Sequence, residues 1–324
     1  VELVPLGGSG IAVSRVILGC GNFGGIGSSP RFFGQGTSRD DALRLLDEAW
    51  ELGITTLDTA DAYGGGRSET IVGEWLATRG AAIRDRVVVT TKTFNPMEEG
   101  GDQGLSRTRI LRQIDGSRRR LGLERIPLYM AHDFDPETPQ EETLQAFDEL
   151  VRAGTVGAVG ASNFTAEQLA EALELSSLER LARYEWAQEA FSLLDHRARQ
   201  TVFPLVHEHG IGLTPFSPLA GGLLTGKYRH GETPPAGSRL DLRPEGYAEL
   251  LTERTFAAID ALAGEAAGRG VSPAGLALAW LLHVPEVTAI VIGPNRAEHL
   301  EPVREALGLR LSDDERDRLE ALFR

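Results

Sequence analysis

Four residues of chemically active type stand at the ends of three successive strand-like runs. The β-branched run Val87–Lys92 closes on Lys92, and a charge at the end of such a run is costly unless something pairs with it. Lysine is scarce here: only Lys92 and Lys227 among 33 basic residues, the rest being arginine. Arginine stays charged, whereas a desolvated lysine is a compact point charge whose pKa moves readily. The preceding run, Thr55–Asp58, ends in Asp58 and continues through Thr59-Ala60-Asp61-Ala62-Tyr63-Gly64. The next, Leu128–His132, ends in His132. If the three ends converge, one place holds a carboxylate, a phenol, an ammonium and an imidazole. A free tyrosine has a pKa near ~10 and is a poor acid at neutral pH. An adjacent ammonium stabilises the phenolate and is expected to lower that value. Asp58 would hold Lys92, and His132 would donate a hydrogen bond to a carbonyl oxygen. Such a set protonates an oxygen as charge develops on it, the acid half of a carbonyl reduction; the hydride must come from a cofactor. Singly, Asp58 reads as a turn cap, Tyr63 as a loop aromatic and His132 as a buried histidine. Their joint placement carries the argument.

The elements that must position them alternate. After a short hairpin around the Gly-rich turn Gly7–Gly10, strand-like runs lie near Val16–Gly19, Thr55–Asp58, Val87–Lys92, Leu128–His132, Val156–Ser162, Tyr184–Gln188, Gly212–Phe216 and Ala289–Gly293. Helix-period segments fall between most of them, including Asp41–Leu52, Ser106–Leu121 with Ser106 as N-cap, Pro139–Ala153, Ala166–Leu175 and Arg197–His209. Arg254–Arg269, Pro273–His283, Ala297–Leu307 and Asp313–Phe323 follow. Eight strand–helix units predict an α/β protein with a closed (β/α)8 TIM barrel, an N-terminal β-hairpin and long βα lid loops, in one domain over residues 1–324. The stretches Gly21–Gly36, Thr93–Leu105 and Ser217–Leu251 all follow strands, on the face where barrels carry active sites.

Composition excludes several classes. A net charge of -14 argues against nucleic acid and against an anionic membrane surface. No run of ~18 apolar residues and no signal-peptide pattern is evident, so a cytoplasmic location is expected. The single Cys20 rules out an intrachain disulfide and a multi-cysteine metal site, and the scattered histidines suggest no metal. Neither Gly8-Ser9-Gly10 nor Gly64–Gly66 has the strand–helix setting of a dinucleotide fingerprint. Phe23, Phe33, Phe94, Phe134 and Trp186 are the expected walls of a substrate pocket, favouring an apolar or ring-bearing carbonyl compound.

Asp58-Thr59-Ala60-Asp61-Ala62-Tyr63-Gly64, Thr91-Lys92, His132, Gly160-Ala161-Ser162-Asn163-Phe164 and Ser217-Pro218-Leu219 resemble the aldo-keto reductase family over nearly the whole chain. Gly104–Arg107 and Leu223–Tyr228 are similar to its bacterial branch that resembles potassium-channel β subunits. The resemblance implies a barrel plugged by its hairpin and NADP(H), with NAD(H) also admissible, bound extended. It implies Tyr63 as acid/base, completed by Asp58, Lys92 and His132. It assigns Ser162, Asn163 and Gln188 to the nicotinamide carboxamide and Phe216 to the nicotinamide face. Ser217, Leu219, Gly221 and Lys227 go to the pyrophosphate, with Arg239 reaching it from the lid. At the adenosine end the chain departs from the family pattern. Gly293-Pro294-Asn295-Arg296 leads to His299, Asn295 and His299 replace the usual contacts, and Glu-Asn is absent. Arg296 remains to meet a 2′-phosphate, so NADPH is expected, with weaker discrimination against NADH than is usual in the family. The implied activity is NADPH-dependent reduction of an aldehyde or ketone. The alternatives are a cofactor-binding redox-sensing subunit, or a sugar or alcohol dehydrogenase working in the oxidative direction.

Overall fold

A computed structural model describes all 324 residues. Leu3–Pro5 (β1) and Ala12–Ser14 (β2) form an antiparallel hairpin. Eight further strands are parallel: Val16–Gly19 (β3), Thr56–Asp58 (β4), Val88–Thr93 (β5), Ile126–Ala131 (β6), Val156–Ser162 (β7), Tyr184–Gln188 (β8), Gly212–Leu213 (β9) and Ile290–Ile292 (β10). They run in the order β10-β3-β4-β5-β6-β7-β8-β9. The ring closes through backbone bonds from Thr288 N to Leu213 O (2.9 Å) and Val291 N to Pro215 O (2.8 Å). The expected (β/α)8 barrel is therefore what the chain forms. The run Gly212–Phe216 keeps only two residues in regular ladder, but Thr214 N and Phe216 N still bond to Ala187 O and Glu189 O, extending it toward the mouth.

Burial explains the closure. Parallel strands covered by helices must be apolar on both faces, and β3 is buried at all four residues. Outside the strands, 66 buried residues form one continuous core with the helices. Inside, a smaller cluster holds Ile17, Leu128, Met130, Trp186 and Val291 with Leu6 and Val13 of the hairpin. The hairpin thus plugs the end of the barrel opposite the strand C-termini. A Cβ on Gly7, at φ +51°, would lie 2.1 Å from Glu185 O, so only glycine lets the plug approach β8. Likewise a Cβ on Gly160 would lie 2.6 Å from the Trp186 ring, which needs that gap to cross β7.

The helices follow the periodicity with two omissions. Arg107–Leu121 is capped by Ser106, whose Oγ accepts from Arg109 N. Pro273–Leu282 is capped by Ser272 in the same way, and Asp313–Ala321 starts on a Ser312–Glu315 capping box. An unforeseen helix, Arg67–Ala77, and a single helical turn, Ala81–Arg84, sit between β4 and β5. The segment 217–251 folds into short turns, among them Ala220–Thr225, Arg239–Leu242 and Pro244–Leu250. No helix is long and apolar enough to cross a membrane.

Candidate active site

Strand alternation sorts the residues around the mouth. On β5, Thr90 and Lys92 point into the barrel, while Thr91 and Thr93 face the helices, where they donate to Glu69 (2.5 Å) and Asp61 (2.7 Å). Lys92 is 0% exposed and Asp58 3%. Lys92 Nζ donates to Asp58 Oδ1 (2.5 Å) and to Thr59 O (2.9 Å), so the buried ammonium is both paired and hydrogen-bonded. The other oxygen of Asp58 accepts from Gln188 Nε2 (3.0 Å). Nζ lies 3.4 Å from Tyr63 Oη and 4.9 Å from its ring centre.

Tyr63 is aimed by the glycines after it. Gly64, Gly65 and Gly66 have φ of 59°, 67° and 89°, a run in the left-handed region that side chains resist. A Cβ on Gly64 would fall 2.8 Å from Gly24 O, so the turn packs directly on the loop after β3. His132 follows β6, its N–H bonding to Thr93 O (3.0 Å). Its Nε2 is 3.4 Å from Tyr63 Oη and its Nδ1 accepts from Asn95 Nδ2 (3.3 Å). In a neutral imidazole the proton then sits on Nε2. Asn95 is itself held by Arg109, which donates to Asn95 O (2.7 Å) and Thr93 Oγ1 (2.7 Å). With Lys92 and His132 both donating to the Tyr63 oxygen, the phenolic hydrogen is free to point elsewhere.

The electrostatics correct one expectation. Burial pushes the Tyr63 phenol above its ordinary value; the Lys92 ammonium pulls it down but does not overcome burial. Burial also holds His132 well below the usual imidazole value, and Lys92 adds to this, so the ring is neutral. For Lys92, burial acts to lower the pKa, but Asp58 and then Tyr63 raise it, and the net shift is upward.

A cavity of about 1220 Å³ runs across the strand ends. Asp58, Tyr63 and His132 line its inner end; Lys92 lies behind them, out of reach. Ser162, Asn163, Gln188 and Phe216 line it together with Asp58, Tyr63 and His132. Asn163 Nδ2 donates to His132 O (2.8 Å), and Ser162 Oγ donates to Gln188 O (2.7 Å). Further out come Ser217, Leu219, Gly221, Lys227 and Arg239 on one side, and Gly293, Asn295, Arg296 and His299 on the other. Asn163 and Ser217 hold φ of 60° and 55°, so two of the four non-glycine residues in the left-handed region line this cavity. Lys227, Arg239 and Arg296 take part in no ion pair; Lys227 lies over the Tyr228 ring and Arg239 donates to Asn22 Oδ1 (3.0 Å). Asn22 also donates to Gly293 O (3.3 Å), tying three loops together. Asn22, Asn95 and Tyr247, whose ring would lie 2.5 Å from a Cβ on Gly221, are not evident from the sequence.

The five expected aromatic walls do not line this cavity. Phe23 is fully buried in the outer core and Trp186 in the inner one. Phe134 packs edge-on against Phe164, Phe94 against the outer core, and Phe33 against Gly65.

A model of the aldo/keto reductase family matches residues 15–324. The chain belongs to the aldo/keto reductase family. An uncharacterized oxidoreductase, YrpG, of Bacillus subtilis (strain 168) is 34% identical over 97% of this chain and 93% of its own. A probable voltage-gated potassium channel subunit beta of Oryza sativa subsp. japonica is 32% identical over 98% and 95%. An L-glyceraldehyde 3-phosphate reductase of Escherichia coli O157:H7 is 34% identical over 85% and 81%. As an aldo/keto reductase, the protein is an NAD(P)H-dependent oxidoreductase.

Proposed function

We propose that this aldo/keto reductase converts an aldehyde or ketone to an alcohol with NADPH, Tyr63 giving the proton. The observation that carries the reading is the position of Tyr63 Oη, 3.4 Å from both Lys92 Nζ and His132 Nε2 at the inner end of a long cavity. The residues around that cavity suit an extended dinucleotide. Unpaired Lys227 and Arg239 answer the pyrophosphate charge, beside the left-handed backbone at Ser217 and Gly221. Ser162, Asn163 and Gln188 offer amide and hydroxyl groups to the carboxamide, and Phe216 a ring to the nicotinamide. Exposed, unpaired Arg296 supports NADPH over NADH, since a 2′-phosphate needs a cation there. When bound, the nucleotide supplies a hydride to the carbonyl carbon.

The chain's own groups handle the oxygen. With the substrate in place, His132 Nε2–H turns from Tyr63 Oη to the carbonyl oxygen and fixes its position, while Lys92 still donates to Oη. Tyr63, neutral and with its hydrogen free, donates the proton as negative charge builds. Lys92 stabilises the phenolate left behind, and Asp58 with Gln188 keeps Lys92 in place. The same groups serve alcohol oxidation, with Tyr63 as base. Tyr63→Phe tests the assignment: turnover with NADPH should fall by about 10²–10⁴, while NADPH binding, read by fluorescence quenching, persists. A variant that keeps most of its kcat would remove Tyr63 from the mechanism.

A further inference from the structure

A second cavity, about 380 Å³, opens beyond His132 and Asn163, and none of its nine lining residues is hydrophobic. Besides His132 and Asn163, its polar lining residues are Ser28, Ser29, Asn95, Asp133 and Arg243. Asp133 accepts only from its neighbour Phe134 N (2.9 Å), and Arg243 only donates to Ile26 O (3.4 Å) beside the Phe32 ring. Neither enters an ion pair, although the two carry opposite charges and line one recess. Carbonyl chemistry at His132 and Tyr63 would leave the rest of a substrate here. An apolar chain would desolvate these polar side chains without replacing their hydrogen bonds. A phosphate would suit Arg243 but face Asp133. Vicinal hydroxyls satisfy both, because each donates to a carboxylate and accepts from a guanidinium.

We infer that this recess selects polyhydroxylated, uncharged carbonyl substrates, sugar-like aldehydes or ketones, with Asp133 and Arg243 reading their hydroxyls. The inference rests on the reductase reading for where the carbonyl lies. The test is kcat/KM with NADPH for glyceraldehyde against propanal and erythrose against butanal, corrected for hydration, with glyceraldehyde 3-phosphate alongside. The hydroxylated member should win by at least about tenfold in each pair. In Asp133→Ala/Arg243→Met, and more weakly in Ser29→Ala, that ratio should collapse toward unity. A ratio below threefold in the unsubstituted protein overturns the inference, and so does a ratio that survives the double substitution. A phosphorylated substrate preferred by tenfold or more over glyceraldehyde also overturns it, in favour of an anion subsite. Absence of turnover with every carbonyl defeats the reductase reading instead. The recess is then judged by calorimetry. Xylitol binding that exceeds 1-pentanol binding and is lost in the double variant supports it; no xylitol binding overturns it.

Discussion

Replacing Lys92 by methionine separates the structural work of the ion pair from its chemical work. Lys92 is the one cation paired with Asp58, and both are buried, at 0% and 3% exposure. Its loss leaves a buried carboxylate whose remaining partner is Gln188. Breaking a buried pair from one side costs about 3–5 kcal/mol. An unfolding entropy of about 2.1 cal/mol/K per residue gives roughly 0.7 kcal/mol/K for this chain, so the melting temperature should fall by about 4–7 °C. Adding Asp58→Asn removes the stranded charge and should restore about half of that loss, a coupling of at least ~2 kcal/mol. Scanning calorimetry on the four proteins of the cycle measures it, with turnover followed in parallel. Activity should stay lost in the double variant, because the ammonium that faces Tyr63 is still absent. Lys92→Arg sharpens the point: it keeps the charge, but a planar guanidinium cannot reproduce the contacts to Asp58, Thr59 O and Tyr63 Oη from a fully buried position. A Lys92→Met protein that melts within 1 °C of the parent, or singles that add without coupling, would refute the buried-pair account.

Three further outcomes follow from charges and their surroundings. Burial, and next the Glu69 carboxylate, push the Asp61 carboxyl up to about 7, against the pull of Arg109. The folded state therefore binds this proton more tightly than the unfolded chain, at about 3.9, and the stability it contributes is lost as pH rises from about 4 through 7. Asp61→Asn should raise the melting temperature over the parent at pH 8 and lose that advantage by pH 4; a pH-independent gap would count against it. Alcohol oxidation needs the Tyr63 phenolate, whose pKa burial raises above its ordinary value. The oxidative rate should keep rising with pH through 9, and a plateau near neutrality would assign the base elsewhere. Arg296→Ala should raise KM for NADPH about tenfold or more, the loss of one charged contact, while leaving KM for NADH nearly unchanged; equal losses would place Arg296 away from a 2′-phosphate.

The barrel, and the meeting of Asp58, Tyr63, Lys92 and His132 at its mouth, were legible because strand ends are. Asp58, Lys92 and His132 each terminate a β-branched or apolar run, and a closed parallel barrel brings such ends to one mouth. The helix Arg67–Ala77 was not legible. Ile71, Val72, Trp75 and Leu76 do make a short apolar stripe, but the same buried face carries Ser68, Glu69 and Gly73, which read as polar and turn residues directly after the Gly64–Gly66 run. Glu69 is tolerated there because Arg120 Nε (2.6 Å) and Thr91 Oγ1 meet it, partners that only the tertiary fold supplies. The aromatic walls failed for a related reason. Trp186 shares an inward face with Gln188, two residues on, but sits one layer deeper, so it fills the barrel instead of lining the mouth. Asn95 carries no signal in spacing; its role emerges only from the bond to His132 Nδ1.

The upward shift of Tyr63 changes what Lys92 is for. Proximity to an ammonium was expected to make the phenol a stronger acid in the resting site. Burial outweighs that, and His132 is neutral as well, so the Asp58–Lys92 pair supplies the opposed charges beside two neutral donors. A resting phenolate would be the wrong state for reduction, since Tyr63 must arrive protonated. Under the proposed mechanism the ammonium matters once the proton leaves, when negative charge appears on an oxygen 3.4 Å away in a site with little water to screen it. Its stabilisation is then larger in the transition state than in the ground state, the condition for an interaction to raise kcat and not merely binding. The buried carboxylate follows from the same requirement. Without Asp58, desolvation would favour a neutral amine at Lys92, and the phenolate would form with no cation beside it.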